Sequence, residues 1–213
     1  MAVNSVQRII VGISGATGIA YGVELLRALK DLRIESHLVV TPAGEQTRAY
    51  ETSLTNRELH AMADVSYPAR DVGAAIASGS VRTMGMIVAP CSVRTLSEIA
   101  TGVTSNLLTR AADVCLKERR RLVLLVRETP LHLGHLKSML AVTEIGGIIM
   151  PPVPALYLRP TSIEDLVKHT VARALDLFDL DTGNSPRWGD LVGKGLGAEK
   201  PAQGHNGDES PEE

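Results

Sequence analysis

Five short apolar runs alternate with segments of helical spacing, and this alternation constrains the fold more than any other feature of the chain. The runs are RIIVGI (8–13), ESHLVV (35–40), MGMIVAP (84–90), RLVLLV (121–126) and GGIIMP (146–151). Each is short enough for a buried strand and too short for a buried helix. After the first run, Ile19, Val23 and Leu26 recur at i, i+4 and i+7. Further helices are expected over 43–50, 56–63, 92–100, 104–118 and 132–143. A last one, 162–178, carries Ile163, Leu166, Val167, Val171, Ala174, Leu175 and Phe178 on one stripe. Strand–helix alternation predicts an α/β fold, doubly wound, with a mostly parallel sheet and helices on both faces.

The chain has 213 residues, enough for one sizeable core. Residues 1–181 are expected to form a single domain. The remainder, 182–213, is rich in Gly, Pro and charge and is expected to be a disordered tail. Trp188 stands out there as either a local anchor or a surface aromatic. Lys plus Arg total 22 against 24 Asp plus Glu, without the basic excess of a nucleic-acid protein. Aromatics at 3% leave few platforms for stacking bases. Two cysteines, no apolar run of membrane-spanning length and no signal-peptide pattern make a soluble cytoplasmic protein the expectation.

In a parallel sheet, ligands bind beyond the carboxyl ends of the strands. Those ends offer Ser14, Gly15, Ala16 and Thr17; Thr41; Cys91, Ser92, Val93, Arg94 and Thr95; and Arg127 with Glu128. Small hydroxyls, glycines and arginines at one edge suit a phosphate and a polar heterocycle. Gly12, Gly15 and Gly18 do not have the G-x-G-x-x-G spacing of a dinucleotide loop. The helix opening near Gly18 is expected to present free N–H groups to an anion. The second strand ends in Thr41 with no acidic residue to hold an adenosine ribose, which favours FMN over NAD.

RETPLHLGH (127–135) reads as a helix start, with Thr129 as N-cap and Pro130 at the first position. Glu128 is then a dipole partner or an acid/base, and the residues leave both open. His132 and His135 share a helix face and could join Glu128 as metal ligands. Leu133, Leu136 and Leu140 favour an ordinary packed helix instead. RAADVCLKERRR (110–121) is a solvated helix end or a cationic wall for a phosphorylated substrate. Cys91 reads as a small buried residue rather than a nucleophile, since no histidine neighbours it in sequence.

GISGATGIAYGVELLRAL, APCSVRTLSEIATG, LLTRAADVCLKERRRLVLLVRETPLHLGHL and IMPPVPALYLRP together resemble the UbiX-type flavin prenyltransferases, from about residue 7 to 180. The resemblance implies a flavodoxin-like/Rossmann-like fold and a metal-independent transfer. In it, dimethylallyl monophosphate alkylates reduced FMN at N5 and then C6. The product, prenylated FMN, serves UbiD-type decarboxylases. The resemblance also implies a homo-oligomer, a dodecamer with sites between subunits.

By the same resemblance, Gly15, Ala16, Thr17, Thr41, Ser92, Val93, Arg94, Thr95 and Arg127 contact the flavin. Thr17 stands where serine is usual. Glu51 and Glu128 are the acid/base residues, and Arg110, Lys117, Tyr157 and Arg173 hold the substrate phosphate. Arg110 and Lys117 count with the catalytic set, because they stabilise the departing phosphate. Leu158 departs from the histidine common in the family, and Trp188 matches a C-terminal tryptophan of some members. Two other functions stay open: an accessory subunit of an aromatic-acid decarboxylase, and a flavin-dependent cysteine decarboxylase. The latter carry an asparagine where Arg94 stands.

Overall fold

The computed structural model describes residues 7–183. Trp188 and most of the expected tail lie outside the described residues. Six strands form one sheet: β1 (Arg8–Ile13), β2 (Glu35–Val40), β3 (Val65–Pro68), β4 (Gly85–Cys91), β5 (Arg121–Val126) and β6 (Ile148–Ile149). Their order is β3-β2-β1-β4-β5-β6, and every neighbouring pair is parallel. This is the Rossmann order of the doubly wound fold, with its switch point between β1 and β4. The helices are α1 (Ile19–Asp31), α2 (Pro42–Glu51), α3 (Asn56–Ala61), α4 (Val93–Thr101), α5 (Leu107–Lys117), α6 (Leu133–Glu144) and α7 (Ile163–Asp176).

The central strands are buried on both faces, which is why they read as unbroken apolar runs. Ile9, Val11 and Ile13 face Leu25, Leu26, Val171 and Leu175, so α1 and α7 cover one side of the sheet. Ile10 of the same strand packs with Leu108, Ala112, Leu122 and Leu124, so α5 covers the other side. β1, β2 and β5 have the bounds expected from sequence.

Several expectations need correction. β3 was not anticipated, because VSYP is a half-buried edge segment with no apolar run. The expected strand at 146–151 shrinks to two residues and is followed by prolines at 151 and 152, which cannot donate to a ladder. The helix expected at 104–118 starts later, where Asn106 and Thr109 form a reciprocal cap. Ile163 opens α7 but is 74% exposed, leaving the buried stripe to begin at Val167. On α6 the leucines expected to pack are open: Leu133, Leu136 and Leu140 are 65%, 49% and 58% exposed, and Val142 is the helix's buried residue.

Candidate active site

The carboxyl ends of β2, β1, β4 and β5 lie side by side and are stitched together by backbone and side-chain bonds. Thr41 N–H donates to Ile13 O at 2.9 Å, and Arg127 N–H to Cys91 O at 3.0 Å. Between β1 and β4, the buried Ser14 hydroxyl donates to Pro90 O at 3.0 Å and accepts from Ser92 N–H at 2.7 Å. Gly15 allows the next loop to press on α2: a Cβ there would lie 2.4 Å from that of Ala43. The structure thus brings Gly15, Ala16, Thr17, Thr41, Ser92, Val93, Arg94, Thr95 and Arg127 to one crevice. Ser14, which ties the crevice together, was visible at a strand end but carried no signal of its own.

Three helices open into this crevice, and at α2 the Thr41 hydroxyl is the cap, accepting the Gly44 N–H at 3.1 Å. Ser92 caps α4, accepting the Thr95 N–H at 3.3 Å. The remaining first-turn N–H groups of α4 have no intrahelical acceptor and suit an anion. At α1 the expectation of free N–H groups is overturned. Gly18 is its N-cap in the left-handed region (φ 108°) and offers no side chain. Glu51, at the end of α2, fills that role. Its carboxylate accepts from Gly18 and Ile19 N–H, both at 2.9 Å, and from the Thr17 hydroxyl. The charge suits the positive end of the helix dipole, so α1's anion is supplied by the chain itself.

Glu128 stands just past β5, half-buried, its carboxylate accepting the N–H of Thr129 at 3.0 Å. The cap expected at Thr129 is not formed. His132 caps α6 instead, its Nδ1 accepting from Gly134 N–H at 3.0 Å. Its ring stacks on that of His135, centroids 3.6 Å apart. Among the described residues no three His, Cys, Asp or Glu side chains gather as metal ligands, so Glu128, His132 and His135 are not brought together as such a set. Cys91 is fully buried, and burial pushes its thiol pKa far up, as expected of a packing residue.

The four residues expected to bind phosphate do not converge within one chain. Arg110 and Lys117 lie on α5, on one side of the sheet, and Arg173 lies on α7, on the other. Lys117 ends α5 just before β5 begins, whereas Glu128 follows that strand. The six residues of β5 span roughly 20 Å at about 3.3 Å per residue. Each cation has a local carboxylate: Arg110 with Asp113 at 2.7 Å, Lys117 with Glu118, and Arg173 with Asp176. Tyr157 sits in a short 3-10 turn, Leu156–Leu158, facing α7.

The residues of the crevice fit FMN. The N-terminus of α4 suits an anion, and Thr17, Ser92 and Thr95 supply hydroxyls. Comparison with known proteins agrees with this chemistry. The flavoprotein family model matches residues 3–175. The flavin prenyltransferase UbiX of Neisseria meningitidis is 55% identical over 183 residues, which is 86% of this chain and 97% of that protein. The crystal structure of AnUbiX in complex with FMN and dimethylallyl pyrophosphate is similar at a TM-score of 0.84 and 50% identity, covering 85% of this chain and 97% of that one. A dodecameric FMN-dependent UbiX-like decarboxylase from Escherichia coli O157:H7 matches at a TM-score of 0.83 and 47% identity, covering 85% and 98%.

Proposed function

The chain belongs to the flavoprotein family and, within it, to the UbiX-type flavin prenyltransferases, and on that premise we propose that it joins the dimethylallyl group of dimethylallyl monophosphate to N5 and C6 of reduced FMN. One observation carries the reading. The crevice at the β1–β4 switch point holds hydroxyls, a helix N-terminus and two carboxylates, in a chain half identical to a protein that binds FMN and dimethylallyl pyrophosphate.

The reduced flavin supplies the nucleophilic atoms, N5 and then C6. Gly15, Ala16, Thr17, Thr41, Ser92, Val93, Arg94, Thr95 and Arg127 hold it in the crevice. Breaking the C–O bond of the substrate places negative charge on the departing phosphate. Arg110, Lys117 and Arg173 stabilise that charge by charge-assisted hydrogen bonds, and Tyr157 adds a donor. Glu51, already bonded to the Thr17 hydroxyl, and Glu128 move the protons that ring closure requires. Because Arg173 and Lys117 lie on opposite sides of the sheet, a complete phosphate site takes them from different subunits. The enzyme is therefore a homo-oligomer, and the dodecamer of the E. coli relative is the assembly we assign to it. We further assign residues 1–181 to a single flavin-binding domain followed by a tail. The protein works without a metal, in the cytoplasm, and passes prenylated FMN to a UbiD-type decarboxylase.

Mass spectrometry of the released flavin tests this. The protein is incubated anaerobically with reduced FMN and, in parallel, with dimethylallyl monophosphate or pyrophosphate, with and without a chelator. A flavin heavier by one five-carbon unit in the monophosphate arm, unaffected by chelation, is expected. Unmodified flavin, tightly bound by folded protein in both arms, overturns the proposal.

A further inference from the structure

An open cavity of 710 Å³ lies between α1, the segment around Leu158 and α7. Its walls carry both signs of charge: Glu24 and Asp31 from α1, Arg159 from the segment, Asp165 and Lys168 from α7. His169 is the imidazole that lines it. This residue sits one helical turn before Arg173. Its ring meets that of Tyr157 edge-on, centroids 6.3 Å apart. Its Nε2 is enclosed, yet among the described residues it has no hydrogen-bond partner. A buried polar atom left unsatisfied calls for an explanation, and an absent ligand or a change of protonation is one.

We propose that His169 is the third member of the Tyr157–Arg173 arm, a positioning residue that takes up a proton when a phosphate dianion settles beside Arg173. The proposal rests on the assignment of Tyr157 and Arg173 to the substrate phosphate. Burial, and then the nearby Arg173 guanidinium, hold the imidazole below its ordinary pKa, against the pull of Asp176. The ring is therefore neutral near pH 7 while Arg173 lacks an external anion. A dianion at Arg173 offsets the guanidinium's field and favours the imidazolium. Glu24, Asp31 and Asp165 face the cavity as counter-charges, opposed by Arg159 and Lys168. The proton comes from solvent onto a ring nitrogen and returns when inorganic phosphate leaves. No bond of the substrate is broken by His169. Its edge contact holds the Tyr157 ring, so protonation and the position of Tyr157 are coupled to occupancy of the site.

Calorimetric titration of the FMN-loaded protein with dimethylallyl monophosphate, and separately with inorganic phosphate, tests this near pH 7. Buffers of different ionisation heat report proton uptake. The wild type should take up more protons per phosphate bound than His169→Gln, in which the phosphate's own titration alone remains. In turnover assays His169→Gln should raise KM about tenfold, as expected for roughly 1.4 kcal/mol of lost binding, with kcat within about twofold. The wild-type KM should rise toward high pH, and the variant should lose that rise. His169→Asn serves as the second variant, and bound FMN in either one reports an intact fold. Equal proton uptake in wild type and variant, or phosphate affinity unchanged within twofold, overturns the role of His169 while leaving the transferase reading intact. Phosphate binding that Arg173→Gln leaves unchanged overturns the role of His169 by removing its premise, and the flavin-mass assay distinguishes this from failure of the transferase reading.

Discussion

The hydroxyl of Ser14 accepts the backbone N–H of Ser92 at 2.7 Å, across the gap between the first and fourth strands. The same hydroxyl donates to Pro90 O. One buried side chain therefore fixes the two loops between which the flavin is expected to lie. Ser14→Ala leaves the Ser92 N–H without its acceptor, at a cost of about 1–3 kcal/mol. Urea unfolding should show that loss, and dialysis should strip FMN faster from the variant. Wild-type retention of FMN together with wild-type stability would sink the idea that Ser14 fixes the crevice.

Gly15 is required because of Ala43 rather than because of its own backbone. A Cβ at Gly15 would stand 2.4 Å from the Ala43 Cβ and 3.1 Å from its carbonyl carbon. Gly15→Ala should destabilise the protein by about 1–3 kcal/mol through overpacking. Adding Ala43→Gly to the same chain should restore part of the loss, measured by denaturant midpoint, because the Cβ–Cβ clash goes while the contact with the backbone of residue 43 stays. Additive destabilisation in the double variant would locate the requirement elsewhere.

The separation of Lys117 and Arg173 across the sheet predicts complementation. Lys117→Ala and Arg173→Ala homo-oligomers should each be nearly inactive in the flavin-mass assay. Co-refolded from an equal mixture, they should regain about a quarter of wild-type activity, the fraction of sites that draw both intact residues from different subunits under random assembly. A mixture no more active than its components would mean that one chain supplies both.

Leu136 and Leu140 form an exposed apolar row on α6. Monomeric proteins rarely leave such a row open, and in the oligomer proposed above it is expected to be a subunit contact. Leu140→Glu should lower the mass seen by light scattering while leaving the helical circular dichroism unchanged. Exposed positions of this kind cost the isolated fold under about 0.5 kcal/mol. An unchanged mass would exclude α6 from the interface.

Glu45 sits between Arg48 at 3.0 Å and His60 at 2.7 Å. Burial opposes its charge, but hydrogen bonds from His60, Arg48 and Asn56 outweigh that and hold its pKa below the usual carboxylate range. A depressed folded pKa gives stability that is full above the unfolded value, about 4.3, and lost as pH falls through the folded one. Glu45→Gln should cost about 1 kcal/mol at pH 7. The difference from wild type should vanish below the folded pKa. A gap that persists at low pH would mean that packing, not charge, holds this cluster.

The sequence by itself determined the central strands of the sheet. Strands buried on both faces must be continuous apolar runs, so β1, β2 and β5 could be delimited residue by residue. It also determined which residues stand at the strand ends, and the motifs around them carried the resemblance to the UbiX-type family. What it left undetermined depends on neighbours distant in the chain. The edge strand β3 has no face of its own to bury and takes its place by pairing with β2. The α1 N-terminus gains its anion from Glu51, 32 residues from Ile19, a contact that no local pattern encodes. The start of α6 moved from Thr129 to His132, because a cap is decided by which side chain reaches the free N–H groups. Leu133, Leu136 and Leu140 have helical spacing, yet spacing does not say whether the surface they meet belongs to the same chain. Of the residues proposed above to hold the substrate phosphate, Lys117 lies on α5 and Arg173 on α7, and the sheet separates them. Only the tertiary structure decided that, because a helix's side of the sheet is set by the handedness of its crossover.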